Sequence, residues 1–101
     1  MTKFQAAIYK ALMKVPTGRV VSYQTLANMV GVRSPQAVGQ ALKNNPHAPI
    51  VPCHRVIKSN GNIGGYFGAN DSLQKKALLE SEGVRIDQEG FLEDTDLFWK
   101  E

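Results

Sequence analysis

Pro52-Cys53-His54-Arg55-Val56 gathers the reactive side chains of this chain into five consecutive positions. Cys53 is the only cysteine, so no disulfide can form within the chain and any chemistry at sulfur is thiol chemistry. A metal site would have to lean on His47, His54 and carboxylates; none is expected. A lone cysteine reads as a small buried apolar residue or as a nucleophile. Three features weigh toward the nucleophile. Pro52 stiffens the approach to the sulfur, and His54 and Arg55 set positive charge beside it, which favours thiolate. A glycine-rich stretch, Gly64 to Gly68, follows closely enough to wall a pocket. On these residues alone the two readings of Cys53 stand level.

The surroundings of the motif are basic. Residues 1–58 hold eight Lys or Arg and no Asp or Glu, whereas the remaining 43 residues hold four positive and nine negative side chains. The net charge of +3 is therefore +8 followed by −5, and a basic half is the footprint of a surface that binds a polyanion such as nucleic acid. Uneven surface charge that serves only solubility is the other reading. The 101 residues fit one domain, 1–101, with an acidic tail over 87–101. No apolar run approaches the roughly 20 residues of a membrane span, and the N-terminus lacks a secretory pattern. A cytoplasmic monomer without membrane contact is expected.

Several elements must position the motif. Thr2 caps a helix with apolar residues Phe4, Ala7, Ile8, Ala11, Leu12 and Val15, ended by Pro16 to Gly18. Ser22 caps a second helix through Leu26 and Val30, with Gly31 just past its end. Ser34 and Pro35 open a third that runs to about Lys43. Two short helices joined by the Gly31 to Arg33 turn fit a helix-turn-helix or a small helical bundle. The nearly bare face of Ala37, Val38, Gly39 and Ala41 favours close approach to a groove or a neighbouring helix. Asn44 to Pro46 break this helix, and Ser59-Asn60-Gly61 marks a tight turn in a small hairpin or wing. Asn70 or Asp71 caps a last helix with Leu73, Ala77 and Leu78 on one face, stopped by Gly83. Phe91, Leu92, Leu97, Phe98 and Trp99 clip the tail to the core. The fold class expected is α+β and mostly helical, a winged-helix-like helix-turn-helix domain with a small hairpin.

The five-residue motif resembles the active site of the O6-alkylguanine-DNA alkyltransferases. Gly18-Arg19-Val20-Val21-Ser22-Tyr23, Ala37-Val38-Gly39, Asn45-Pro46 and Glu82-Gly83 fall at that family's spacing, and the likeness runs from about Phe4 to Val84. It covers the family's C-terminal DNA-binding and catalytic domain only. The resemblance implies single-use transfer of an alkyl group from guanine O6 to Cys53, without a cofactor, on duplex DNA whose damaged base is flipped out. It makes His54 and Glu82 a relay that draws off the thiol proton, and Asn45 a brace under the cysteine. Tyr23, Val56, Tyr66, Phe67 and Gly68 would line the base pocket, with Phe67 in place of a small polar residue. Arg33, Ser34, Gln36, Ala37, Gly39, Lys43 and Arg55 would meet DNA.

Gln36 departs from the pattern, which has an arginine wedge there. Two other functional readings remain. One is a non-catalytic alkyltransferase-like sensor that recruits repair proteins, although such sensors typically replace the cysteine. The other is a winged-helix transcription factor, which leaves the Cys-His-Arg motif and Glu82 without a use.

Overall fold

The computed structural model describes residues 2–43, 51–64 and 72–100. Helix α1 spans Lys3–Leu12, and its start is a capping box: Gln5 N–H donates to Thr2 Oγ1 at 3.0 Å while Thr2 N–H donates to Gln5 Oε1 at 2.9 Å. It ends earlier than the apolar spacing predicts, because Lys14 and Val15 tighten into bonds to Ala11 and Leu12 ahead of Pro16. Strand β1, Val21–Ser22, leads directly into α2, Tyr23–Met29, where Ser22 Oγ accepts Thr25 N–H. Helix α2 closes in a Schellman motif. Gly31 at φ 79° lets its N–H reach the Asn28 carbonyl and the Val32 N–H reach that of Ala27. Helix α3, Pro35–Lys43, starts on Ser34, whose Oγ accepts Ala37 N–H.

A 3-10 turn over Cys53–Arg55 runs into β2, Val56–Ile57. At the expected turn, Gly61 N–H donates to the Lys58 carbonyl and Lys58 N–H to that of Asn62, with Gly61 at φ 92°. This is the three-residue hairpin connection with a bulge glycine. The strand that β2 pairs with is one that local spacing could not show. Strand β2 pairs in parallel with β1, Val21 opposite Val56 and Ser22 opposite Ile57, across a connection containing α2 and α3.

The short sheet is buried on both faces. Side-chain alternation sends Val21 and Val56 into a cluster with Ile8, Leu12, Leu26, Val38 and Cys53. Val20 and Ile57 enter a second cluster with Ile63, Leu79, Val84, Ile86 and Leu92.

Helix α4, Ser72–Ser81, corrects one expectation. Leu73 is 82% exposed and Ala77 is exposed, while Lys75 and Leu79, one turn apart, are the residues turned fully inward. Leu79 extends the second cluster, and Leu78 packs partly against the first. The expected cap at Asn70 or Asp71 lies outside the described residues. The helix ends at a second Schellman motif, with Gly83 at φ 87° and bonds from Gly83 to Glu80 and from Val84 to Leu79.

The tail clips on as expected. Val20 N–H donates to the Leu97 carbonyl and Trp99 N–H to that of Val20, beside a parallel bridge between Val20 and Phe98. Its acids act locally: Asp87 Oδ1 accepts from Glu89 and Phe91 N–H, and Asp94 Oδ1 from Asp96 N–H. Among the described residues no helix is long and apolar enough to cross a membrane.

Candidate active site

The chain reaches Cys53 through an inverse γ-turn. Pro52, at φ −83° and ψ 67°, supplies the conformation, and Cys53 N–H donates to the Val51 carbonyl at 2.8 Å. The following 3-10 turn fixes His54 and Arg55, and Val56 N–H returns to the Cys53 carbonyl. Cys53, His54 and Val56 are all buried.

Glu82 is the C-cap of α4, and the Schellman turn aims it at these residues. His54 Nε2 lies 3.0 Å from Glu82 Oε2. A carboxylate facing Nε2 selects the tautomer that carries its proton there, which leaves Nδ1 as the basic nitrogen of the neutral ring. Burial pushes His54 below the usual imidazole range against the opposing pull of Glu82, so the neutral ring prevails. Burial alone would raise Glu82, but hydrogen bonds from Arg55 and His54 outweigh it and hold the carboxyl below its usual range.

Arg55, expected to meet DNA, turns its guanidinium to acceptors within the protein. Its Nε donates to Glu82 Oε1 at 2.9 Å and its Nη2 to Oε2 at 2.7 Å. Nη1 donates to the Val15 carbonyl and Nη2 also to Thr17 Oγ1, both at 3.0 Å. The guanidinium's fork fits this set of acceptors, which leaves it committed inside the protein.

Tyr23, at the start of α2, borders the same region. Burial first, then the charge of Cys53, raises its phenol. The bare position at Gly39 lets α3 lie against this ring, since a Cβ there would sit 3.9 Å from Tyr23 Cε1. The expected DNA-facing residues form one stretch from the α2–α3 turn along α3. Arg33, Ser34, Gln36 and Lys43 are exposed, with Ala37 and Gly39 half-buried between them. Ser34 Oγ donates to Gln36 Oε1 at 3.3 Å. Asn45, Tyr66, Phe67 and Gly68 lie outside the described residues.

One residue escaped the sequence reading. Lys75, 1% exposed, donates from Nζ to the Val56 carbonyl at 2.6 Å, and its Nζ stands 5.9 Å from the centre of the Tyr23 ring. Burial lowers its ammonium to about 8 against the raising effect of Cys53. Only its one-turn spacing from Leu79 hinted at this, and Lys76 beside it masks the signal. Among the described residues no cluster of His, Cys, Asp and Glu could hold a metal ion.

The arrangement joins a buried thiol, a neutral histidine oriented by a carboxylate, and a stretch that exposes Arg33 and Lys43, the parts needed for nucleophilic attack by sulfur beside a polyanion. The DNA-binding domain of 6-O-methylguanine DNA methyltransferase matches residues 3–84. A methylated-DNA--protein-cysteine methyltransferase of Saccharolobus islandicus (strain L.S.2.15 / Lassen #1) is 49% identical over 83 residues, 82% of this chain and 52% of that protein. The chain thus spans about half the length of the curated relatives it matches.

Among solved structures, S. pombe Atl1 in complex with damaged DNA containing O6-carboxymethylguanine superposes with a TM-score of 0.89. It shows 35% identity and covers 100% of this chain and 98% of that one. The O6-methylguanine-DNA methyltransferase of Pyrococcus kodakaraensis strain KOD1 gives 0.74 with 45% identity, over 83% of this chain and 48% of that one. On the match over residues 3–84, the motif around Cys53 and these likenesses, the chain belongs to the 6-O-methylguanine DNA methyltransferase family through its DNA-binding domain.

Proposed function

We propose that this protein binds duplex DNA through the α2–α3 turn and α3, flips out an O6-alkylguanine and transfers the alkyl group to Cys53. The observation that carries the reading is the thiol itself, set beside His54 and Glu82, whose 3.0 Å contact supports proton removal from sulfur. The thiolate attacks the alkyl carbon, an S–C bond forms as the C–O6 bond breaks, and the electron pair stays on the guanine. The proton taken from the thiol balances the one the guanine regains on nitrogen. A thiol held inside the protein cannot reach the alkyl carbon on O6 within an intact stack, so flipping is required. The thioether is stable, and each molecule reacts once.

A second reading has its own support. The likeness to S. pombe Atl1 extends over 100% of this chain, tail included, which fits a small protein that recognises alkylated DNA without chemistry. Intact-mass spectrometry after incubation with an O6-methylguanine duplex separates the two. Transfer adds about 14 Da, the mass of one methylene, at Cys53 and nothing to Cys53→Ala. Binding of that duplex with no mass gain would establish the sensor.

A further inference from the structure

A fully buried lysine is rare because desolvating an ammonium is costly, and such a residue persists where its charge is used. Lys75 is buried by α4 while its Nζ reaches across to β2 and α2, donating to the Val56 carbonyl at 2.6 Å and facing the Tyr23 ring at 5.9 Å. Val56 N–H in turn donates to the Cys53 carbonyl, so one chain of contacts runs from the ammonium to the backbone of the nucleophile.

We infer that Lys75 is a positioning residue of this site, whose buried ammonium holds the Val56 carbonyl and the Tyr23 ring in place and favours the thiolate of Cys53. The inference rests on Cys53 being the reacting group, as in the proposed function.

The groups facing the sulfur divide the electrostatic work. Tyr9 from α1 and Tyr23 from α2 are both raised, first by burial and then by the charge of Cys53, so neither supplies charge. His54 is held toward its neutral form, and the Arg55 guanidinium is paired with Glu82. Lys75 and a Cys53 thiolate stabilise each other: the sulfur's charge helps keep the proton on Nζ against burial and against the neighbouring charge of Lys58. The Val56 carbonyl keeps a second lone pair, and Lys75 sets the direction in which it points.

Iodoacetamide reads this role without DNA. In Lys75→Met the rate constant for carbamidomethylation of Cys53 at pH 7 is expected to fall about ten-fold, with the gap narrowing as pH rises. Lys75→Arg, which keeps the charge, should recover to within about three-fold of the wild type. A folded Lys75→Met that reacts at the wild-type rate with the wild-type pH profile overturns the inference.

A second measurement needs no substitution: Lys75 is titrated by NMR with 13C-labelled lysine before and after Cys53 is capped by methyl methanethiosulfonate. Capping removes the thiolate and should move the lysine below about 8; an unmoved titration overturns the coupling. Absence of methyl transfer from O6-methylguanine DNA would instead count against the proposed function and leave both thiol measurements intact.

Discussion

Arg55 grips Glu82 at two points, Nε to Oε1 at 2.9 Å and Nη2 to Oε2 at 2.7 Å, and so decides which carboxylate oxygen His54 meets. The same guanidinium ties Glu82 to Val15 and Thr17 in the turn after α1. The turn is close-packed on this glutamate, since a Cβ at Gly18 would come 3.3 Å from the Glu82 carbonyl oxygen. The end of α4, the motif turn and the α1–β1 connection therefore meet on one partly buried ion pair.

Removing Arg55 leaves Glu82 with a desolvated charge and three segments without their common donor. Arg55→Ala is expected to lower unfolding stability by about 2 to 4 kcal/mol in urea titrations. Arg55→Lys should recover less than half, because an ammonium cannot span the same acceptors. A loss below about 0.5 kcal/mol for the alanine variant would show that the clamp is not structural.

Acid should unfold the protein in two stages. His54 is depressed in the folded state, so an unfolded chain binds the extra proton first, and stability falls as pH drops below about 6.5. Glu82 is also depressed, so its contribution is present above about 4.5 and lost as pH falls through its lower folded value. Glu82→Gln should flatten the second stage when stability is followed by thermal melts across pH.

Lys75 bears on stability with the opposite sign from most buried contacts. A shift from 10.5 to about 8 means that folding works against the charged form at neutral pH, an opposition of about 3 kcal/mol that fades as pH rises from 8 toward 10.5. Lys75→Met should therefore be as stable as the wild type or more so at pH 7, even as Cys53 slows. A Lys75→Met variant that melts far below the wild type would assign the ammonium a net structural role.

Binding to duplex DNA should weaken steeply with salt. If the basic half, residues 1–58 with eight Lys or Arg, neutralises about four to six phosphates, log affinity falls by roughly 0.9 for each of them per decade of salt. Arg33→Ala should reduce that slope by about one. Arg55→Ala should leave the slope unchanged, because its guanidinium is turned inward.

Gln36 lies exposed at the first turn of α3, where its Oε1 accepts the Ser34 hydroxyl at 3.3 Å. Gln36→Arg adds charge, length and a planar group able to fill a vacated stack. It should tighten capture of O6-methylguanine DNA by about 1 to 2 kcal/mol, roughly 5- to 30-fold. Single-turnover rates against protein concentration locate the effect, with the half-saturating concentration changing and the limiting rate held. Unchanged capture together with a sharp loss in Arg33→Ala would place the wedge at Arg33.

The features legible in the sequence are those whose physics acts within a few residues. Thr2 with Gln5, Ser22 and Ser34 with Pro35 start helices because a side-chain oxygen satisfies an amide two or three positions on; Gly31 and Gly83 stop them because a positive φ is cheap only for glycine. The hairpin tip at Gly61 and the concentration of chemistry at Cys53-His54-Arg55 are local in the same sense.

Tertiary structure decided what depends on segments far apart in the chain. Val21 meets Val56 in parallel only because α2 and α3 fill the crossover, and that pairing makes one cluster from α1, α2 and the motif. Arg55 is basic in any sequence reading, yet its direction follows from acceptors on Val15, Thr17 and Glu82 that only the folded chain assembles. Lys75 reads as a solvated helix position until α4 is seen to turn it toward Val56 and Tyr23. A charge is tolerated indoors only where distant partners compensate its desolvation, and local spacing carries no record of those partners.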